Sequence, residues 1–245
     1  MQLTILGRYS PYPPPGGACP SYLVQTEGVS LLLDCGSGAV SRLQKFTAIN
    51  RLKYVVLSHL HGDHCSDMSV LRYAADLDVR HQEDPAPIRV FAPGEPRDEY
   101  ARLTYKEAIR AEVVTEKDQL ELGPFEVRFA ITDHPMLCHA VSVRTAEHTI
   151  VYSGDTAYSD ELTRFARDAD VLLAECSLPE DHAGFRGHMT ALDCARMAER
   201  AGVGRLLLTH FWPRADVDAM VCTARGSCTG VPVEAAEEGR TYRLT

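Results

Sequence analysis

Residues 57–67 read LSHLHGDHCSD, with His59, His61, Asp63 and His64 packed between positions 59 and 64. The run just before, 54–57, is apolar and rich in valine, as a buried strand requires. His59 and His61 alternate with another residue at the end of that strand, so both rings face one side of the chain. Gly62 permits a tight turn, after which Asp63 and His64 address a neighbouring point. Two imidazoles aimed one way, and a carboxylate plus an imidazole aimed another, suit two cations better than one. Zinc takes histidine nitrogen and carboxylate oxygen readily, and manganese and iron accept the same ligands.

Outward from this turn, short apolar runs alternate with helical patterns. Strands are expected over 3–6, 21–25, 30–33, 88–92, 125–129, 140–144, 149–152, 171–174 and 205–208, and helices over 40–46 and 191–201. Such alternation predicts an α/β protein with helices covering the sheets. No long linker, low-complexity tract or shift in composition divides the chain, so one domain spanning 1–245 is expected. The stretch 10–20, with its Pro-Pro-Pro-Gly-Gly run, reads as a long loop of the kind that borders a site.

Composition narrows the partners. An apolar fraction of 45% and a charged fraction of 24% are those of an ordinary globular protein. The formal net charge of −9, without any block of lysines or arginines, disfavours broad contact with duplex DNA or structured RNA. A small anionic substrate in a locally positive pocket remains compatible, as does a homo-oligomer. The first residues lack the apolar run of a signal peptide, and no stretch approaches the length of a membrane span. Eight cysteines without a C-x-x-C pair read as mostly buried thiols of a cytoplasmic protein.

Three more metal-competent residues stand just beyond expected strand ends, where α/β folds build their sites. They are His134 in Thr-Asp-His-Pro, Asp155 in Ser-Gly-Asp-Thr and His210 in Leu-Thr-His-Phe. His188 lies in Gly-His-Met-Thr-Ala, where Thr190 and Asp193 form a capping box opening the helix over 191–201. The positive end of that helix dipole disfavours an imidazolium at His188.

The ordered set HLHGDH, a later lone histidine, SGDT and LTHF resembles the motifs of the metallo-β-lactamase superfamily, with Asp34-Cys35-Gly36 resembling its early strand-end motif. The resemblance implies a four-layer αββα sandwich and a two-metal site at a sheet edge. It implies that His59, His61 and His134 hold one divalent ion and Asp63, His64 and His210 the other, with Asp155 bridging. Within the superfamily, the Gly-His-Met-Thr-Ala segment and Glu175 in Leu-Ala-Glu-Cys-Ser resemble the ribonuclease Z and phosphodiesterase branch. That likeness implies proton handling by Glu175, His188 and Asp63. The long arm with which ribonuclease Z grips transfer RNA has no room here, because only 20 residues separate His134 from Asp155.

The expected function is thus dinuclear hydrolysis of a small phosphodiester such as a cyclic nucleotide, whose single negative charge suits the small positive balance of such a site. A lactone or thioester hydrolase on the same centre is the second reading, since attack on a carbonyl needs the same nucleophile. His81, His139 and His148 read as packed or solvated residues of loops and hairpins. His182 and Arg186 share a loop with His188 and could reach substrate. Tyr9, Tyr12 and Phe211 read as packing residues that could line a base-sized pocket.

Overall fold

The apolar runs that begin the chain fold as β1 (Gln2–Gly7), β2 (Ser21–Thr26) and β3 (Val29–Leu33), paired antiparallel in that order. From β3 onward the pairing turns parallel through β4 (Leu52–Val56), β5 (Ile88–Ala92) and β6 (Ile109–Val113). The last strand of the chain, Thr241–Arg243, closes this sheet at the free side of β1. In this computed structural model residues 1–81, 86–182, 184 and 186–244 are described. They form two compact units, one of residues 1–114 with 238–243 and the other of 115–237.

In the first unit the parallel register decides where the chemistry falls. Leu33 pairs with Val56 and Val56 with Phe91, so β3, β4 and β5 all leave the sheet at one edge. Asp34 and the segment 57–64 follow there. The connecting helices are α1 (Ala39–Leu43), α2 (Gly62–Cys65), α3 (Met68–His81) and α4 (Arg97–Tyr100).

The second unit starts as an antiparallel meander of β7 (Gln119–Leu122), β8 (Phe125–Ile131), β9 (His139–Arg144) and β10 (Thr149–Tyr152). It continues in parallel with β11 (Val171–Glu175), β12 (Leu206–Thr209) and β13 (Val233–Ala235). Because β9 runs against β10, the loop before β9 shares an edge with the ends of β10, β11 and β12. Strands β11 and β12 are buried along their whole length, as covering by helices on the connections requires. Those helices are α5 (Asp160–Phe165), α6 (Ala191–Ala201) and α7 (Val217–Ser227). The capping box at Thr190 and Asp193 is formed, and Gly202 ends α6 in the left-handed conformation.

Every expected strand has a counterpart shifted by at most two residues at its start, whereas β6, β7, β13, the last strand and α3 were not legible. The helix expected over 40–46 stops at Leu43. Cys19, Cys35, Cys138, Cys176, Cys194 and Cys228 are buried free thiols, as composition led one to expect, while Cys222 is exposed. No helix among the described residues is long and apolar enough to cross a membrane.

Candidate metal centre

In the first unit a cluster of polar side chains grows from the edge where β3 and β4 end. Asp34 sits in the left-handed region at φ 55°, a costly conformation for a residue with a side chain. Its buried carboxylate is held by three donors. The Ser58 backbone N–H donates to Oδ1 at 2.7 Å, the Ser58 hydroxyl to Oδ2 at 2.8 Å, and Nδ1 of His64 meets Oδ2 at 2.7 Å. Charge-assisted bonds of this kind contribute about 1.5–3 kcal/mol each, enough to hold the strained backbone.

The turn carrying Asp63 and His64 is laced to the turn carrying Asp34. Cys35 N–H donates to the His64 carbonyl at 2.7 Å, and Asp67 N–H to the Cys35 carbonyl at 3.0 Å. Gly36 allows the approach, since a Cβ there would stand 1.9 Å from the carbonyl oxygen of Asp63. The loop over 10–20 borders this cluster as expected, for the Ser10 hydroxyl donates to Oδ2 of Asp63 at 2.8 Å. Burial pushes the neighbouring thiol of Cys65 up to about 12, so it stays protonated.

His59 and His61 converge on one point. Nε2 of His59 lies 3.0 Å from Nδ1 of His61, close to the ~3.3 Å that separates two nitrogens on a tetrahedral zinc.

The second unit carries its own cluster at the ends of β10, β11 and β12. Glu175, wholly buried, is its organiser. Oε1 meets Nδ1 of His188 at 2.8 Å and accepts the Thr156 N–H at 3.1 Å. Oε2 accepts both the N–H and the hydroxyl of Ser177, at 3.1 and 2.8 Å. The same hydroxyl, having given its proton to Glu175, accepts from Nδ1 of His210 at 2.7 Å. One carboxylate thus orients His188 directly and His210 through Ser177. His210 has φ 63°, a second strained residue at a strand end.

Nε2 of His210 stands 3.1 Å from Oδ1 of Asp155. Ligand atoms of Asp155, His188 and His210 lie within 4.8 Å of one another, as do those of His134 and Asp155. Gly187, at φ 98°, seats the loop of His188 against Pro135, where a Cβ would come within 2.8 Å of the proline ring.

The clusters of the two units share a pattern. Nδ1 of His59, His64, His134, His188 and His210 faces Ser58, Asp34, the Met136 carbonyl, Glu175 and Ser177 respectively. A ring held at Nδ1 keeps its proton there and presents Nε2 as a lone pair, which is how ligating histidines are oriented. Mixed imidazole and carboxylate donors with their outer atoms so anchored fit divalent zinc, and manganese or iron by the same chemistry.

Some sequence candidates stay apart from this cluster. His182 is exposed and pairs with its neighbour Asp181 at 2.9 Å, and Arg186, also exposed, faces Asp133 at 3.7 Å. His81 ends α3 and is not in a loop. Phe211 is fully buried core, and Tyr12 is exposed. Sequence reading missed Ser58 and Ser177 as supporting residues, whereas Asp34 stood in the strand-end motif and Ser10 in the loop expected to border a site, neither with an assigned partner.

Comparison with known proteins bears on this geometry. The Beta-lactamase superfamily domain matches residues 30–211. The chain is 35% identical over 211 residues to the probable metallo-hydrolase YhfI of Bacillus subtilis (strain 168), covering 86% of each protein. It is 29% identical over 246 residues to ribonuclease Z of Mycobacterium bovis (strain BCG / Pasteur 1173P2), covering 87% of this chain and 86% of that one. The crystal structure of the metallo-β-lactamase fold protein YhfI from Bacillus subtilis superposes with a TM-score of 0.95 at 32% identity, over 98% of both chains.

Proposed function

The chain belongs to the metallo-β-lactamase superfamily and has its α/β sandwich fold, and from that premise we propose that it is a dinuclear metal-dependent hydrolase of small phosphodiesters. A cyclic nucleotide is the substrate type that this reading favours, and a single cytoplasmic catalytic domain the setting. His59, His61 and His134 would hold one ion and Asp63, His64 and His210 the other, with Asp155 shared. Zinc is the ion that suits these donors best. When bound, such a pair supplies Lewis acidity and a nucleophile drawn from water at neutral pH.

The observation that carries the phosphodiester is the contact between His188 and Glu175. A fully buried carboxylate fixes Nδ1 of an imidazole whose side chain is 26% exposed, beside Asp155 and His210. Nε2 is therefore the atom that faces substrate. There it can hydrogen-bond a phosphoryl oxygen, or pass a proton to the leaving oxygen while Glu175 balances the ring's charge. The helix dipole behind His188 opposes that charge by about 0.3–1 kcal/mol, less than the roughly 1.5–3 kcal/mol of a charge-assisted bond to Glu175. Ester and thioester cleavage does not require such a group.

The test is hydrolysis of an activated aryl phosphodiester by zinc- or manganese-loaded protein, with His188→Ala and a panel of lactones and thioesters alongside. Diester turnover falling by about 10²–10⁴ in the variant supports the reading. Lactone or thioester cleavage indifferent to His188, without diester turnover, replaces it with the carbonyl hydrolase.

A further inference from the structure

Beyond the cluster of His188 and His210, the second unit contains a cavity of about 350 Å³ that the residues discussed so far do not use. Ser177 lines it, and the hydroxyl of Ser177 also contacts Glu175 and His210. Ser177 thus stands between the cavity and the cluster of Glu175, His188 and His210. The cavity's volume is at the small end for ligand pockets, which run to about 300–1,000 Å³. That holds a bicyclic base with its sugar and excludes a duplex.

The walls are mostly apolar, from Leu178, Pro179, Ala219 and Met220. At the rim stands Trp212. The chain turns outward just after His210, burying Phe211 completely and leaving Trp212 46% exposed. A turn closed by Ala215 N–H to the Trp212 carbonyl, at 2.9 Å, then leads into α7. The exposed part of the indole thus forms part of the cavity wall, two residues from a metal-competent histidine.

The charges in the lining point the same way. Asp216 caps α7 by accepting the Ala219 N–H at 3.0 Å, and Glu180 accepts the Leu192 N–H at 3.1 Å. Arg214 makes no hydrogen bond or ion pair among the described residues. The cavity thus offers an exposed aromatic face and an uncommitted guanidinium, beside the Asp216 carboxylate that caps α7 and a Glu180 carboxylate whose Oε2 has no hydrogen-bond partner among the described residues. A planar group with hydrogen-bond acceptors at its edge matches that combination, because base stacking on an aromatic side chain tolerates any base and arginine adds acceptor recognition.

We propose that this cavity is a nucleobase subsite, in which the base stacks on Trp212 with Arg214 at its edge and the phosphate lies toward Ser177 and His188. The assignment rests on the phosphodiester reading and specifies its substrate as a nucleotide.

Trp212 is the one tryptophan of the chain, so its fluorescence reports on this wall alone. Zinc-loaded protein titrated with adenosine 5′-monophosphate is expected to show a saturable change that ribose 5-phosphate does not produce. Ala219→Leu, which fills the cavity from a helix, and Arg214→Ala should each weaken the response about tenfold or more. A response absent for the nucleotide, equal for the sugar phosphate, or unmoved by Ala219→Leu overturns the subsite. The readout needs no turnover. Diester hydrolysis without a base-dependent response removes the subsite alone, whereas a base-dependent response without diester hydrolysis keeps the subsite and removes the phosphodiesterase.

Discussion

Oδ2 of Asp34 lies 2.7 Å from Nδ1 of His64, and both side chains are wholly out of solvent. The contact sets the ring's tautomer and aims Nε2 of His64 away from Asp34, toward the side of Asp63. Groups that orient a ligating histidine typically matter about 10–100-fold in metal affinity. Asp34→Asn keeps the shape and tolerates the left-handed backbone, but removes the charge. Zinc affinity measured by chelator competition should fall by about 10–100-fold. An unchanged affinity would show that the contact is structural and does not tune a ligand.

The packing that brings Asp63 to this edge depends on one missing side chain. A Cβ on Gly36 would meet the Asp63 carbonyl oxygen at 1.9 Å and Cβ of Cys19 at 2.7 Å, and backbone cannot yield as a flexible side chain can. Gly36→Ala should cost about 3 kcal/mol or more in denaturant unfolding, together with weaker metal binding. Gly62 is the internal control, because a Cβ there would meet nothing within 4 Å. Gly62→Ala should change stability by no more than about 1 kcal/mol. Equal losses in both variants would mean that the close contact at Gly36 does not decide the result.

The candidate ligands were legible because each follows a strand with strong apolar character and carries a side chain with few ordinary reasons to be there. What supports them was not. Asp34 touches Ser58 only because β3 and β4 run in parallel register, and Ser177 touches His210 only because β11 and β12 do. Such neighbours are set by pairing, which spacing along one chain does not record. The helix α3 escaped notice for a different reason. It buries Met68, Leu71 and Ala75 but exposes Val70, Tyr73 and Leu77, so apolar residues appear on several faces and blur the helical period. Adjacent aromatics are likewise indistinguishable by sequence, yet the structure buries Phe211 and exposes Trp212.

Ser177 links the buried carboxylate of Glu175 to Nδ1 of His210 by a single hydroxyl. Ser177→Ala removes that link and leaves the Glu175 contact to His188 in place. The expected outcome is a loss of about tenfold in metal affinity with little further loss in rate once the protein is saturated with metal. Glu175→Gln should instead depress the rate at saturating metal as well, because His188 loses its anionic partner. Metal titration of the two variants followed by steady-state rates on the aryl diester separates these effects. Identical behaviour of the two would contradict a direct role for Glu175 at His188.

His139 gives the clearest expectation for pH. The residue is 1% exposed at the start of β9, its ring 5.8 Å from that of Phe129, and its Nδ1 has no hydrogen-bond partner among the described residues. Burial lowers its pKa from the ordinary 6.5, against the weaker opposing pull of Glu116 and Asp118. The unfolded chain therefore takes up a proton at a higher pH than the folded one. Stability from this residue is undiminished above about pH 6.5 and declines as pH falls below it, down to the lowered folded value. His139→Leu removes the titrating ring and keeps an apolar side chain against Phe129. The fall in Tm between about pH 7 and 5 should be smaller in the variant than in the parent, whatever the offset between them at the upper end. Parallel curves over that range would place the acid sensitivity on other groups.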